Sequence, residues 1–236
     1  MRGERVTGHN DHNALKRMAA EAAVEYVRDG DVVGLGTGST AHLVVLTLAE
    51  QRRAGLKMTG VPTSHDTAEL TALSGIPLLG GDGPWKIDLT IDGADQVDPQ
   101  LNLIKGGGGA LLKEKIVAGA ARRLIIVVDQ KKRVPVLGRS FPLPVEVVPF
   151  GWKETARRIE DLGIQSLIRE REGRYFSTDA GHYILDLHVD QIDDPADLDS
   201  RLQDIPGVVA TGLFIGMTDI LIVGCSHGIE VQEAAT

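Results

Sequence analysis

The sequence predicts an α/β protein, with a Rossmann-like, mostly parallel sheet covered by helices on both faces and a smaller ferredoxin-like α+β domain. Three observations lead to this prediction. In the first half, nearly continuous apolar segments alternate with helical patterns, as in a parallel sheet buried on both sides. The segment 134–151 is rich in proline and glycine. From residue 144 on, the elements follow the order strand, helix, strand, strand, helix, strand, give or take one extra strand.

Helices and strands alternate in the first half of the chain. Apolar residues from Leu15 to Tyr26 recur at helical spacing, and Asp29-Gly30 ends that helix. Further strands are predicted at 31–36, 57–63, 76–79, 86–92 and 123–129, and further helices at 39–53, 66–73 and 110–121.

The second half follows a different pattern. The prediction is a strand at 144–148, a helix at 152–162, a hairpin around Glu172-Gly173, a strand at 182–189, a helix at 195–204 and a strand at 207–215. The apolar segment 219–224 resembles the strands of the first half, so we expect it to return to the first sheet. The predicted domains are therefore 1–137 with 217–236, and 138–216.

Composition excludes several classes of protein. The chain has 236 residues, of which 42% are hydrophobic and 25% charged, as in an ordinary globular protein. A net charge of −8 leaves no basic footprint, so we expect no nucleic-acid partner. The single cysteine, Cys225, cannot form a disulfide framework within the chain and fits a cytoplasmic protein. The sequence shows neither a signal-peptide pattern nor an apolar run long enough for a membrane span, so no membrane partner is expected.

The segment GLGTGSTAH, residues 34–42, lies between a predicted strand and a predicted helix. Backbone N–H groups at a helix N-terminus attract anions, and Gly36 and Gly38 would let a phosphate approach closely. The hydroxyls of Ser39 and Thr40 add donors. We favour a monophosphate site, and the alternative is a tight turn with a serine cap.

Two nucleotide sites are less consistent with this loop. Its glycines match the dinucleotide fingerprint in its Gly/Ala form, but no carboxylate follows the next strand until Asp66. A Gly-Lys-Ser/Thr sequence is also missing from this loop, which excludes a triphosphate P-loop here.

Asp92 and Asp95 lie where the strand ending in LTID runs into a turn. Ligands of open α/β sheets bind at the carboxyl ends of strands. The alternatives are an Asx turn with a helix cap, or a metal site that also uses Asp88 and Asp98. No histidine falls among these aspartates, so we expect no metal.

Lys105 precedes four glycines, Gly106–Gly109, and a helix that contains Glu114. Glycine N–H groups at a positive helix end, beside a lysine, suit an oxyanion or an enediolate. Glu114 is a candidate base, and the alternatives are a helix-dipole partner or a surface pair with Lys113 or Lys115.

Several motifs together resemble the A-type ribose-5-phosphate isomerases. They are GLGTGSTA, TIDGADQVDPQLNLIKGGGGALLKEKIVA, VVDQKK, FPLPVEVVPF, DLGI and IPGVVATGLF, in the order and spacing of that family. The resemblance runs from about Leu15 to about Gly228, and the combination is highly specific although no single motif is. It implies an aldose–ketose isomerase of the non-oxidative pentose phosphate pathway, without metal or organic cofactor, assembled as a homodimer or homotetramer.

The resemblance also implies roles for individual residues. Glu114 would be the proton acceptor, and Asp92, Asp95 and Lys105 would assist the chemistry. The residues implied to bind the sugar phosphate are Lys16, Thr37, Gly38, Ser39, Thr40, Asp92, Gly93, Ala94, Asp95, Lys105, Gly106, Gly107, Gly108 and Lys132. The chain departs from the family at His65, where small hydroxyl residues are common, and at Gly109, which is often alanine.

Other functions are less consistent with the sequence. A non-catalytic sugar-phosphate sensor would keep the phosphate loop but would not need Glu114 and Asp92 together. A coenzyme A transferase would need a nucleophilic glutamate and a larger chain. An amino-sugar-phosphate deaminase usually has a histidine-containing catalytic set, which the sequence does not provide.

Overall fold

The structure, a computed structural model, describes residues 7–234. Its helices are α1 (Thr7–Val24), α2 (Ser39–Arg53), α3 (His65–Leu73), α4 (Leu111–Ala120), α5 (Trp152–Glu160) and α6 (Pro195–Gln203). Its strands up to residue 147 are β1 (Val32–Leu35), β2 (Thr59–Pro62), β3 (Leu89–Asp92), β4 (Gln96–Val97), β5 (Leu103–Ile104), β6 (Leu124–Asp129) and β7 (Leu143–Val147). The later strands are β8 (Gln165–Ile168), β9 (Glu170–Arg171), β10 (Arg174–Tyr175), β11 (Tyr183–His188), β12 (Val208–Thr211), β13 (Leu213–Phe214), β14 (Ile220–Cys225) and β15 (Gly228–Glu233).

The chain divides into two compact units. The first unit consists of Met1–Gly93, Ala120–Lys132 and Asp219–Thr236, and the second consists of Ala94–Gly119 and Arg133–Thr218. The sequence-based domain division stays a prediction, but it placed 94–119 with the first domain. In the structure this segment groups with the second unit, where β5 pairs with both β4 and β13.

The first unit contains a six-stranded sheet in the order β15-β14-β6-β3-β1-β2. The four pairings among β14, β6, β3, β1 and β2 are parallel, and β15 adds an antiparallel edge. This confirms the predicted α/β fold with a mostly parallel sheet. It also confirms that the apolar segment 219–224 returns to the first sheet.

The core of the first unit lies between this sheet and its helices. Small residues of α1, Ala19, Ala20 and Ala23, are fully buried and join Val44 and Leu48 of α2 in one cluster with the strand residues. Small side chains let a helix approach its neighbours closely, because the distance between packed elements depends on the side chains at the contact. Residues of β1, β3 and β6 belong to the same buried cluster, so the carboxyl ends of these strands lie beside a well-packed core.

The second unit contains an antiparallel sheet in the order β12-β7-β11-β8. Helix α5 connects β7 to β8, and α6 connects β11 to β12, so the predicted ferredoxin-like order of elements is present. The predicted hairpin around Glu172-Gly173 is formed by β9 and β10. A separate three-stranded sheet has the order β13-β5-β4.

Some strand predictions were wrong in extent. The segment 207–215 is not one strand, because Gly212 separates β12 from β13. Segment 76–79 contributes only a bridge between Leu78 and Gly60. The two-residue strands β4 and β5 and the edge strand β15 were not predicted. Within residues 7–234, the helices are too short or too polar to cross a membrane.

Candidate active site

Gly36, in the loop after β1, packs directly against Asp92. The Gly36 N–H donates to Ile91 O at 3.0 Å. A Cβ on Gly36 would overlap the carboxylate and the Cα of Asp92. The expectation that Gly36 lets a phosphate approach was therefore wrong, since its missing side chain makes room for Asp92.

The sequence predicts an anion site at the N-terminus of α2. Gly38 is the N-cap residue, with φ of 98°, and the cap has no side-chain hydrogen bond. Ser39 is thus the first helical residue, and the alternative of a serine cap was wrong. The Lys16 ammonium donates to Ser39 Oγ at 3.0 Å, and Ser39 is exposed while Thr40 is buried. N–H groups of a first helical turn and a lysine together favour a bound anion here.

Thr37 belongs to a cluster of hydroxyls that the sequence analysis missed. Its Oγ1 lies 2.8 Å from Thr63 Oγ1, 2.9 Å from Ser64 Oγ and 3.3 Å from Thr67 Oγ1. Ser64 also caps α3 by accepting from the Thr67 N–H at 3.1 Å. These hydroxyls fix the Thr37 side chain. The available signal in the sequence was the run of hydroxyl residues after β2.

Asp92 organises the backbone around the first-unit loop. Its side chain is 1% exposed, and its Oδ1 accepts from the N–H groups of Gly93 at 2.7 Å and Thr37 at 3.3 Å. This carboxylate therefore orients the two turns that follow β1 and β3. Lys132, another predicted contact, ends a short 3₁₀ turn after β6 and is half-buried.

The other aspartates considered for a metal site have structural roles. Asp88 Oδ2 accepts from the Val32 N–H at 3.0 Å. Asp98 Oδ1 accepts from the N–H groups of Gln100 at 2.9 Å and Asn102 at 2.8 Å. Each of these two carboxylates accepts hydrogen bonds from backbone N–H groups.

In the second unit, Lys105 and Glu114 form a buried ion pair. Lys105 Nζ lies 3.4 Å from Glu114 Oε2, with side chains only 3% and 6% exposed. Glu114 is in the first turn of α4, and helical side chains point back toward the N-terminus, which directs the carboxylate toward the lysine. The alternative of a surface pair was wrong, because the carboxylate is buried.

Lys115 does not pair with Glu114 either. Its ammonium donates to Leu213 O at 2.8 Å and contacts Thr211 Oγ1 at 3.4 Å. Burial lowers the pKa of Lys115, and the nearby Asp199 carboxylate acts in the opposite direction. Lys115 thus points away from Glu114 and contacts the strands β12 and β13.

The glycine loop between Lys105 and Glu114 is packed tightly on its own unit. Gly109 has φ of +89°, which side chains rarely adopt, and a Cβ there would overlap the ring of Phe176. Gly107 and Gly108 are exposed. Asp95 is half-buried, and its Oδ2 accepts from the Gly107 N–H at 2.8 Å. The loop therefore has fixed ends and an accessible centre.

An arginine that the sequence analysis missed holds this loop by its carbonyl oxygens. Arg169 Nη1 donates to Gly106 O at 2.8 Å and to Gly107 O at 3.1 Å. The rest of its guanidinium makes a bidentate pair with Asp186, in which Nε donates to Oδ2 at 2.8 Å. No local pattern marks Arg169, since the residue lies 63 positions from Gly106 in a predicted hairpin.

This chemistry defines a class of protein. One unit has a helix N-terminus of the kind that attracts anions, and the other has a buried carboxylate–ammonium pair beside exposed glycines. These features are typical of an enzyme that acts on an anionic substrate by proton transfer. The comparisons identify the family. The family model for ribose 5-phosphate isomerase A (phosphoriboisomerase A) matches residues 59–228, and the chain belongs to this family.

Curated relatives and solved structures agree with the family model. The chain is 54% identical over 222 residues to ribose-5-phosphate isomerase A of Gloeobacter violaceus, covering 94% of this chain and 96% of the relative. It is 50% identical over 217 residues to that of Bacillus cereus, covering 92% of this chain and 98% of the relative. The resemblance inferred from the sequence is confirmed.

Two solved structures have the same fold. A D-ribose-5-phosphate isomerase in complex with phospho-erythronic acid has a TM-score of 0.91 at 38% identity, covering 94% of this chain and 99% of that chain. Ribose 5-phosphate isomerase from Plasmodium falciparum has a TM-score of 0.90 at 36% identity, covering 95% of this chain and 100% of that chain.

Proposed function

We propose that the protein interconverts D-ribose 5-phosphate and D-ribulose 5-phosphate by aldose–ketose isomerisation, in the non-oxidative branch of the pentose phosphate pathway. The observation that carries this proposal is the buried pair of Glu114 and Lys105, 3.4 Å apart, at the two ends of a glycine loop. A protein that only binds a sugar phosphate would gain little from it, because burying two charges costs more than a surface pair.

Glu114 is the proposed base. Isomerisation requires one group to remove a proton from C2 of the aldose and return a proton to C1, through an enediolate intermediate. The Lys105 ammonium and N–H groups of the loop Gly106–Gly108 are the proposed donors to the enediolate oxygens, and Gly107 and Gly108 are the exposed residues of this loop. The ion pair at 3.4 Å holds the carboxylate and the ammonium in a defined mutual geometry.

The phosphate is the proposed ligand of the α2 N-terminus. Gly38, Ser39 and Thr40 provide N–H and hydroxyl donors, and Lys16 contributes a positive charge beside Ser39. Thr37, held by its hydroxyl neighbours, shapes the loop, and Lys132 is proposed as a further substrate contact. Binding energy from a phosphate far from the reacting carbons can be used to orient them.

Asp92 or Asp95 is proposed to assist opening of the furanose ring. Asp95 is the more accessible of the two, being half-buried, whereas Asp92 is 1% exposed. Gly93 and Ala94 lie between these aspartates and are proposed as backbone contacts of the sugar. The complex of a structural neighbour with phospho-erythronic acid supports a phosphorylated sugar-like ligand for this family.

We propose that the reaction needs no metal and no organic cofactor, since proton transfer by a carboxylate requires neither. The test is ribulose 5-phosphate formation from ribose 5-phosphate after exhaustive dialysis against a chelator. Full turnover in chelator is the expected result. Activity lost in chelator and restored by zinc, magnesium or manganese would contradict the proposal.

The assembly is proposed to be a homodimer or homotetramer in the cytoplasm, as the family resemblance implies. Size-exclusion chromatography with light scattering tests the assembly. A mass equal to one 25.3 kDa chain at micromolar concentration would contradict it.

A further inference from the structure

The hairpin formed by β14 and β15 places three different metal-ligating side chains together. Cys225 is opposite Gly228 in the antiparallel register, and Val223 is opposite Glu230. Because side chains alternate between faces along a strand, Cys225 and Glu230 lie on the same face as diagonal neighbours. His227 occupies the turn between them. The glycine opposite the thiol leaves that position on the face without a side chain.

The donor atoms of these side chains are close to one another. Cys225 Sγ lies 3.5 Å from Glu230 Oε1, and His227 Nε2 lies 3.0 Å from the same oxygen. All three donor atoms lie within 4.8 Å of one another. An ordinary pair three residues apart would account for the contact of His227 with Glu230. Such a pair would not explain why the thiol of Cys225, the single cysteine of the chain, also contacts Glu230 Oε1.

The two separations that involve Glu230 Oε1 are close to those around a single zinc-like ion. Zinc–sulfur bonds of about 2.3 Å and zinc–nitrogen or zinc–oxygen bonds of about 2.0 Å, at tetrahedral angles, place donor atoms roughly 3.3–3.6 Å apart. The sulfur–oxygen separation of 3.5 Å is within this range. The nitrogen–oxygen separation of 3.0 Å must open by a few tenths of an ångström. The His227 side chain, 70% exposed, has room for this rotation.

We propose that Cys225, His227 and Glu230 bind one divalent ion of the zinc class, with water completing the coordination. A thiolate with an imidazole selects zinc, cobalt or cadmium over magnesium and calcium, which prefer oxygen ligands. Cys225 is 2% exposed and His227 is exposed, so the ion is held at the surface with its sulfur side covered. None of the three residues has a role in the proposed isomerisation, and the two proposals are independent.

Cobalt is the direct probe of this site, because a thiolate bound to Co²⁺ absorbs by sulfur-to-metal charge transfer and other ligands do not. Metal-free full-length protein without an affinity tag is titrated with Co²⁺ and then with Zn²⁺. The expected result is a charge-transfer band that saturates at one Co²⁺ per chain and disappears when Zn²⁺ displaces it. Cys225→Ser should abolish the band.

Two surface variants test the other ligands. His227→Gln and Glu230→Gln should each weaken Co²⁺ binding by about tenfold or more, since even residues that only orient a ligand change metal affinity by about 10- to 100-fold. His188→Gln, which removes an exposed histidine from β11, is the matched control and should leave the affinity unchanged.

Three results would overturn the proposal. They are saturation with Co²⁺ without a charge-transfer band, a band that persists in Cys225→Ser, and unchanged affinity in both His227→Gln and Glu230→Gln. Circular dichroism of each variant establishes that it is folded. None of these measurements uses isomerase activity. A negative result for the metal site would therefore not contradict the proposed isomerase function, and a negative result for the isomerase function would not contradict the metal site.

Discussion

Replacing Arg169 with Gln removes the side chain that holds the glycine loop by its carbonyl groups. The change deletes the hydrogen bonds to Gly106 O at 2.8 Å and Gly107 O at 3.1 Å and leaves Asp186 without its bidentate partner. A fully buried pair costs about 3–5 kcal/mol to break. These side chains are 14% and 18% exposed, so solvent screening reduces the cost. We expect a loss of about 2–3 kcal/mol in the free energy of unfolding.

The effect on activity should be larger in kcat than in KM. The loop N–H groups would lose their fixed direction, and a displacement of about 1 Å in a catalytic group can cost about 10²-fold in rate. We therefore expect kcat for ribose 5-phosphate to fall about 10- to 100-fold in Arg169→Gln. The KM should change little, because the proposed phosphate ligands are not altered.

Two comparison variants separate the loop effect from general destabilisation. Arg157 makes a similar bidentate pair with Glu154 on α5, but both side chains are exposed. Arg157→Gln should therefore leave the free energy of unfolding nearly unchanged and leave kcat unchanged. Asp186→Asn should lower kcat less than Arg169→Gln, and the double variant should resemble Arg169→Gln. Parent-like kcat in a folded, destabilised Arg169→Gln would refute the positioning role.

Three further predictions concern the phosphate loop and α4. Gly36→Ala should lower the free energy of unfolding by about 1–3 kcal/mol in denaturant titrations, because the new Cβ overlaps Asp92, and an unchanged midpoint would contradict this. Ser39→Asp should raise KM for ribose 5-phosphate strongly through like-charge repulsion. Similar kcat/KM values for ribose and ribose 5-phosphate in the parent would show that the phosphate site at the α2 N-terminus is misassigned. Burial lowers the pKa of Lys115 in the folded chain, so the unfolded chain binds more protons at pH values between that lowered pKa and the ordinary pKa of 10.5. As the pH rises through this range, the free energy of unfolding of the parent should therefore increase relative to that of Lys115→Met. A pH-independent difference would be evidence against that burial effect.

Much of the candidate site could be predicted because it is local in sequence. The α2 N-terminus follows directly from a strand, a glycine and a helical pattern. Lys105 and Glu114 are separated by only the glycine loop and the first turn of α4. The position of a charged residue in the first turn of a helix also predicts the direction of its side chain. Such features need no knowledge of tertiary contacts.

The features that were missed depend on distant parts of the chain. Arg169 reaches Gly106 across 63 residues, and nothing in the sequence around the hairpin marks that contact. The hydroxyl of Thr37 contacts Thr63, 26 residues away. The role of Gly36 was misassigned for the same reason, since its contact with Asp92 arises only when β1 and β3 pair.

Strand predictions failed where the pattern is too short or too polar. β4 and β5 have two residues each, too few for any periodicity. β15 is an edge strand whose side chains are half-buried or exposed, so it lacks the apolar pattern of its parallel neighbours. By contrast β6 and β14, buried at every position, were found readily.

The most direct test of the account is the rate of Glu114→Gln. The substitution keeps the shape and the helix propensity but removes the base, so kcat should fall by about 10²- to 10⁴-fold with little change in KM. Because Lys105 loses its buried partner, the rate is measured below the unfolding transition of the variant, with Glu160→Gln as an exposed helical control. Exchange of the substrate C2 proton with deuterated solvent should fall in parallel. A folded Glu114→Gln variant that keeps near-parent turnover and exchange would contradict the central claim and move the base to Asp92 or Asp95.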